Sequence, residues 1–158
     1  MENKIMIQLL NEIKSFKLWA NTADTSYGEW ETDYLHWDKI NKAAEQLIQE
    51  IPVKQWNEDL LNEFLYILAR DNEFLYILAR DNECEIILYH LINFPNQLVS
   101  LAKHTVSFPD QDARWQIAYG LGELDETTAE IQRILEKFLV DEHEYVRRRA
   151  SFAYEKKF

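Results

Sequence analysis

The chain contains few of the residues that interrupt helices and strands or form disulfide bonds. Its 158 residues include one Cys, three Gly and three Pro. A single Cys excludes an intramolecular disulfide and a multi-cysteine metal site. So few Gly and Pro residues argue against the many turns of an all-β protein and against a disordered linker. The apolar fraction of 47% instead indicates a globular chain with a core of its own.

Basic residues are scarce as well. Lys and Arg number 17 against 28 Asp and Glu, which gives a net charge of −11. Because nucleic acids and anionic lipids are held by clustered basic side chains, this balance argues against both as partners. The N-terminus lacks the basic start and unbroken apolar core of a signal peptide, and the longest apolar runs are far too short to span a bilayer. We therefore expect a cytoplasmic protein, without membrane contact, whose partner is a basic protein.

What the sequence does contain is helical spacing. Apolar residues recur at intervals of three and four, with Leu18 included in the first such face, and no segment alternates with period two for long enough to predict a strand. Short polar connections separate helices of about 10 to 15 residues, which predicts antiparallel helix pairs. The predicted core positions of the C-terminal part include Leu98, Leu101, Ala102, Ile117, Ala118, Leu121, Ile131, Ile134, Leu135, Phe138, Val146, Ala150 and Ala153.

An internal repeat is visible in the same part of the chain. A shift of 33 residues aligns residues 98–106 with residues 131–139, apolar on apolar, and it places Arg114 on Arg147. A unit of this size cannot bury its own apolar face, so it must stack on a neighbour.

The repeated residues resemble a known family. Residues 112–124, Asp-Ala-Arg-Trp-Gln-Ile-Ala-Tyr-Gly-Leu-Gly-Glu-Leu, are similar to the second helix of a HEAT repeat, of the type also found in bilin-lyase-like proteins, and so are residues 141–150. The resemblance covers about residues 58–158. It implies an all-α fold: a short right-handed α-solenoid of stacked antiparallel helix pairs, with the second helices on the concave side. We expect one domain over residues 1–158, in which residues 1–57 form an N-terminal helical cap.

A ten-residue duplication fits no regular repeat. Residues 62–71 are followed at once by an identical copy, residues 72–81. Ten residues turn a helix by about 1000°, so the two apolar stripes cannot lie on one face. A lengthened helix, a looped-out copy and a new turn at Asp71–Asn72 all remain open. We favour the long helix, because a short isolated one would be marginal; its surplus apolar side chains would then need cover, which predicts a homodimer.

The most distinctive segment runs from Trp19 to Asp38. Aromatic and acidic residues are interleaved there, and no Lys or Arg occurs from Asn21 to Asp38. Rings supply contact area at low entropic cost and carboxylates attract basic side chains, which favours a docking surface. We favour the interpretation of the segment as a cap that buries its Trp residues on the first helices, and a docking role is compatible with it. The candidate partner-binding residues are Asp24, Tyr27, Glu29, Trp30, Glu31, Asp33, Tyr34, Trp37 and Asp38, with Trp115, Tyr119 and Arg148 in the repeats.

The charged residues of the repeats have a structural interpretation. We expect Asp112, Arg114, Asp141 and Arg147 to pair between successive units and to fix the register of the stack. None of the four His residues stands in a metal-binding motif, and no catalytic triad or nucleophile elbow occurs. No catalytic residue, metal or cofactor is therefore predicted.

These observations predict a non-enzymatic protein-binding module. Its concrete form is an immunity or inhibitor protein that blocks a cationic toxin or nuclease by presenting an acidic concave surface in place of a polyanionic substrate. The resemblance also implies an alternative, a HEAT-like DNA glycosylase with Asp112, Arg114 and Trp115 in its groove, or a bilin-lyase-type enzyme. The acidic balance departs from the basic groove of a glycosylase. A structural or regulatory scaffold is the remaining alternative.

Overall fold

The computed structural model describes residues 3–26, 28, 30–71 and 86–158. These residues form α-helices and short 3₁₀ turns without a strand, which confirms the predicted all-α class. No helix among them is both long and apolar enough to cross a membrane. The helices are α1 (Lys4–Ala20), α2 (Trp37–Glu50), α3 (Glu58–Asp71), α4 (Ile86–Ile92), α5 (Pro95–Thr105), α6 (Gln111–Glu123), α7 (Ala129–Leu139) and α8 (Glu144–Lys157).

The chain forms two compact units, Met1–Ile87 and Leu88–Phe158. The solenoid arrangement, the single domain over residues 1–158 and the cap over residues 1–57 stay predictions. The second copy of the duplication, residues 72–81, lies outside the described residues, and so do the long helix and the dimer contact predicted for it.

The N-terminal unit is built on α1, which packs against α2 and α3. Asn3 begins the helix by accepting a hydrogen bond from the Ile5 amide at 2.8 Å. Phe16 lies fully buried on its inner face. Leu18 was predicted on this face, but it is 61% exposed. Two residues beyond Phe16, it is turned away by about 200°.

The end of α3 lies beside the start of α4. The Asp71 carboxylate accepts a hydrogen bond from the Ile87 amide at 3.0 Å, in the first turn of α4. A carboxylate at a helix N-terminus satisfies an amide without an intrahelical partner and opposes the positive end of the helix dipole. The chain therefore leaves α3 and enters α4 at nearly the same point.

The C-terminal unit contains two consecutive helix pairs, α5–α6 and α7–α8. The helices α6 and α8 begin 33 residues apart, at Gln111 and Glu144. Their N-caps are also matched, because Asp110 and His143 each accept a hydrogen bond from the amide two residues ahead. The core positions named above are all buried, but Leu139, which the same apolar spacing also predicts for the core, is only half-buried. The 33-residue period is therefore present in the folded structure.

Close packing of α6 on α8 depends on a missing side chain. A Cβ atom added to Gly122 would lie 2.7 Å from the Cβ and 2.9 Å from the Cα of Ala153. Because Ala153 approaches with its backbone, a larger residue at position 122 would force the two helices apart.

Removal of one copy of the duplication should leave the fold intact. Deletion of residues 72–81 leaves residues 82–85 to join α3 to α4, a normal length for a helix–helix connection. We expect cooperative unfolding by circular dichroism, because four residues between Asp71 and Ile86 are enough to join two helices. Loss of cooperative unfolding in the shortened chain would contradict this account of the α3–α4 junction.

Candidate docking surface

A cluster of aromatic rings forms around Phe16 in the N-terminal unit, and we call it the aromatic cluster. The rings of Tyr34 and Trp37 lie at 5.2 Å from the Phe16 ring, Trp19 at 5.7 Å, Trp30 at 6.1 Å and Tyr66 at 6.3 Å, all between centroids. Such ring pairs add about 0.5–1.5 kcal/mol each beyond the burial of their area. The aromatic cluster therefore holds residues 30–37 against α1 and α3.

The backbone of this segment is also fixed by hydrogen bonds. The Trp37 indole donates to the carbonyl of Glu31 at 2.8 Å, and the Tyr34 amide donates to the same carbonyl at 3.2 Å. Burial raises the pKa of the Tyr34 phenol, and the charges of Glu12 and Asp38 raise it further. The phenol therefore stays neutral, and two carboxylates lie close enough to act on it.

Acidic side chains face the solvent on either side of these rings along the chain. Asp24, Asp33 and Asp38 are exposed, and Leu35 is 86% exposed. We call these four side chains the acidic surface. The Asp24 carboxylate accepts hydrogen bonds from the hydroxyl of Ser26 at 2.5 Å and from its amide at 3.0 Å, and both bonds lower its pKa. Asp24 is therefore held in its charged form.

Two predicted contact residues lie inside the unit instead. Glu31 is 4% exposed and Tyr34 is buried, so neither offers side-chain area to a partner. Trp30 and Trp37 are half-buried within the aromatic cluster. Tyr27 and Glu29 lie outside the described residues. Rings packed inward and carboxylates directed outward agree with both interpretations of the segment.

Leu35 was not identified from the sequence as a candidate contact residue. Its exposed side chain is the apolar part of the acidic surface. It stands between Tyr34 and Trp37, so its apolar character suggests a core position. The short turn places these rings inward and leaves Leu35 outside. The sequence did hold a signal for this exposure. Leu35 lies among aromatic residues in a segment without helical period, so its apolar character alone does not predict burial.

A second aromatic group occupies the C-terminal unit. Trp115 is buried; its indole donates to the Asp112 carboxylate at 3.2 Å, and its ring meets the Tyr145 ring edge-on at 5.3 Å. The Arg149 guanidinium lies 5.3 Å from the centroid of the Trp115 ring and 5.5 Å from that of half-buried Tyr119. Trp115 is therefore a packing residue and not the exposed contact that the sequence predicted.

Arg148 is exposed, as a contact residue must be, and it has a partner on its own helix. Its guanidinium lies 2.7 Å from the Glu144 carboxylate one turn earlier. Exposed pairs of this kind contribute about 0.3–0.5 kcal/mol, so the pair leaves Arg148 available to a stronger acceptor.

A buried ion pair joins the two helix pairs of this unit. Nε and Nη2 of Arg114 donate to the two Asp141 oxygens at 2.9 and 3.2 Å, and the side chains are 6% and 7% exposed. Nη1 of Arg114 donates to the carbonyls of Phe108 and Pro109. Arg114 and Asp141 thus pair between successive units, as predicted. Of the other two predicted members, Asp112 accepts the indole bond, and Arg147 donates to the backbone carbonyl of Asp141 at 2.7 Å.

The three residues that suggested a glycosylase groove are all engaged internally. Asp112 and Trp115 bond to each other, and Arg114 holds Asp141. Within residues 3–26, 28, 30–71 and 86–158, no three His, Cys, Asp or Glu side chains are grouped as a metal site would need.

Comparison with known proteins adds no relative. No protein-family model, curated protein or solved structure matches the chain. The HEAT resemblance stays a prediction that rests on residues 112–124 and 141–150.

Truncation of Phe16 should destabilise the N-terminal unit. We expect Phe16→Ala to lower the free energy of unfolding by about 3–5 kcal/mol, because it opens a cavity at the centre of the aromatic cluster. Urea denaturation followed by tryptophan fluorescence measures this change. Leu18→Ala is the control on the same helix, and we expect a change within about 0.5 kcal/mol at this exposed position. Equal effects of the two substitutions would show that the aromatic cluster does not hold the segment.

Proposed function

We propose that this chain is a protein-binding module that presents the acidic surface to a basic partner. The observation that carries the proposal is the combination of an exposed apolar side chain, Leu35, with the exposed carboxylates of Asp33 and Asp38, which lie within or next to residues 30–37 that the aromatic cluster holds in place. The exposed carboxylate of Asp24 adds a third charge in the preceding segment. A net charge of −11 supports the same choice of partner.

The geometry suits recognition because the surface is ordered before binding. Binding is weaker when side chains and loops must be immobilised in the complex, because their conformational entropy is lost. Backbone that ring packing already fixes avoids part of this entropic cost. The carboxylates steer Lys and Arg side chains of the partner, which increases the association rate. Burial of Leu35 against an apolar patch would add about 1.5–3 kcal/mol.

A finer form of the proposal is an inhibitor or immunity protein of the cytoplasm. It would cover the polyanion-binding site of a cationic toxin or nuclease with its own carboxylates. The excess of 28 acidic over 17 basic residues supports this form, and so does the absence of catalytic motifs from the sequence.

Neutral isosteres test the acidic surface. The triple variant Asp24→Asn, Asp33→Asn, Asp38→Asn removes three charges with little change in shape. We expect its dissociation constant for a labelled oligolysine peptide, measured by fluorescence anisotropy at low salt, to rise by about tenfold, since exposed charges contribute about 0.2–1 kcal/mol each.

A matched variant separates location from net charge. Asp125→Asn, Glu136→Gln, Glu155→Gln changes the total charge equally at exposed positions of the other unit. We expect a change of about twofold or less in the dissociation constant, because these three carboxylates are not part of the proposed contact. Equal weakening by both triple variants would mean that oligolysine senses only net charge, and the proposed surface would be wrong.

A further inference from the structure

Two arginines occupy equivalent positions in successive helix pairs. Arg114 and Arg147 are each the fourth residue of their helix, α6 and α8. Each donates from Nη1 to the carbonyl six residues earlier, at 2.7 Å in both cases: Arg114 to Phe108 and Arg147 to Asp141. The two guanidinium groups are therefore held in the same way relative to their own helix pairs.

Only one of the two arginines has a carboxylate. Nε and Nη2 of Arg114 hold Asp141 of the next unit, 27 residues along the chain. Half-buried Arg147 forms no ion pair with any described residue, and its one side-chain hydrogen bond is that to the Asp141 carbonyl. The Nε and Nη2 donors of Arg147, which correspond to those that hold Asp141 on Arg114, can therefore bind a planar acceptor such as a carboxylate through two hydrogen bonds.

Large apolar side chains are exposed on the helix pair that carries Arg147. Tyr119, which contacts Arg149 of the next pair, corresponds to Phe152 under the 33-residue shift. Phe152 is 58% exposed. Val140 precedes the carbonyl that Arg147 holds, and it is 81% exposed. Two large apolar side chains are therefore exposed on the pair that carries Arg147.

The charge of α8 is opposite to that of the chain. Residues 144–158 contain five basic and two acidic side chains, in a protein of net charge −11. Arginines beside exposed apolar groups favour an acidic partner, since desolvation strengthens a bidentate pair with a carboxylate.

We infer that the α7–α8 pair is a second docking surface, at which Arg147 receives a carboxylate from the turn of a partner polypeptide. The partner presents an Asp in a short turn before a helix, with an apolar side chain nearby to cover Phe152 and Val140. The Asp141 turn is the template within the chain, because Arg114 already binds a carboxylate so placed. The inference does not depend on the acidic surface, which belongs to the other unit.

An extended chain provides a defined stand-in for the partner. A second copy of residues 126–158, fused after Phe158, places a copy of Asp141 at the same spacing from Arg147 that Asp141 has from Arg114. Fusion supplies the acidic turn at high effective concentration. We expect Arg147→Gln to raise the unfolding equilibrium constant of the extended chain by a factor at least ten times larger than in the parent chain, as measured by urea denaturation.

Arg148→Gln is the matched control, since it removes the same charge from the next residue. It should change the extended and parent chains alike, within about threefold, because its partner Glu144 is exposed on the same helix. If Arg147→Gln also affects both chains alike, the inference fails. It fails equally if the parent chain is a dimer that Arg147→Gln dissociates, or if it binds a labelled oligonucleotide only while Arg147 is present. Those results would assign the surface to a second copy or to phosphate.

Discussion

The arrangement of the C-terminal unit depends on one charged pair that is withdrawn from water. A buried ion is tolerated only where its partner and its remaining hydrogen bonds are all in place. Arg114 meets this condition with both Asp141 oxygens and two backbone carbonyls. A slip between the helix pairs would strand two charges in the interior, which costs several kcal/mol. The pair therefore specifies register, while the apolar faces of α5–α8 provide the driving force for packing.

In the N-terminal unit, aromatic rings provide the packing around Phe16. The aromatic cluster gathers rings from α1, α3, the segment before α2 and the first residue of α2, and these rings pack residues 30–37 against α1. The rings lie in the interior together with the Glu31 side chain, while the carboxylates of Asp33 and Asp38 remain outside. The result is opposite charge on the two proposed surfaces: acidic around Leu35 and basic along α8.

Helical period and the 33-residue shift were enough to predict the all-α class, most buried positions of the C-terminal unit and an Asp–Arg pair between successive units, because each depends on spacing alone. The same spacing was wrong for Leu18, which is exposed. Burial of Glu31 and Trp115 was not predictable from spacing, since both follow from contacts made by particular neighbours. For Trp115 the signal was local: Asp112 stands three residues earlier, one helical turn away. The ten-residue duplication is a second feature that the sequence could not resolve. Two identical copies have identical local helix preferences, so the sequence leaves open whether the second copy lengthens the helix, loops out or begins a new turn at Asp71–Asn72.

The account is tested most directly by a double-mutant cycle on Arg114 and Asp141. Arg114→Met, Asp141→Asn and the double variant are compared with the parent chain by urea denaturation. A register-fixing buried pair predicts a coupling free energy of about 2 kcal/mol or more. A coupling below about 0.5 kcal/mol, as for an exposed pair such as Arg148 with Glu144, would contradict the claim that this contact holds the two helix pairs together.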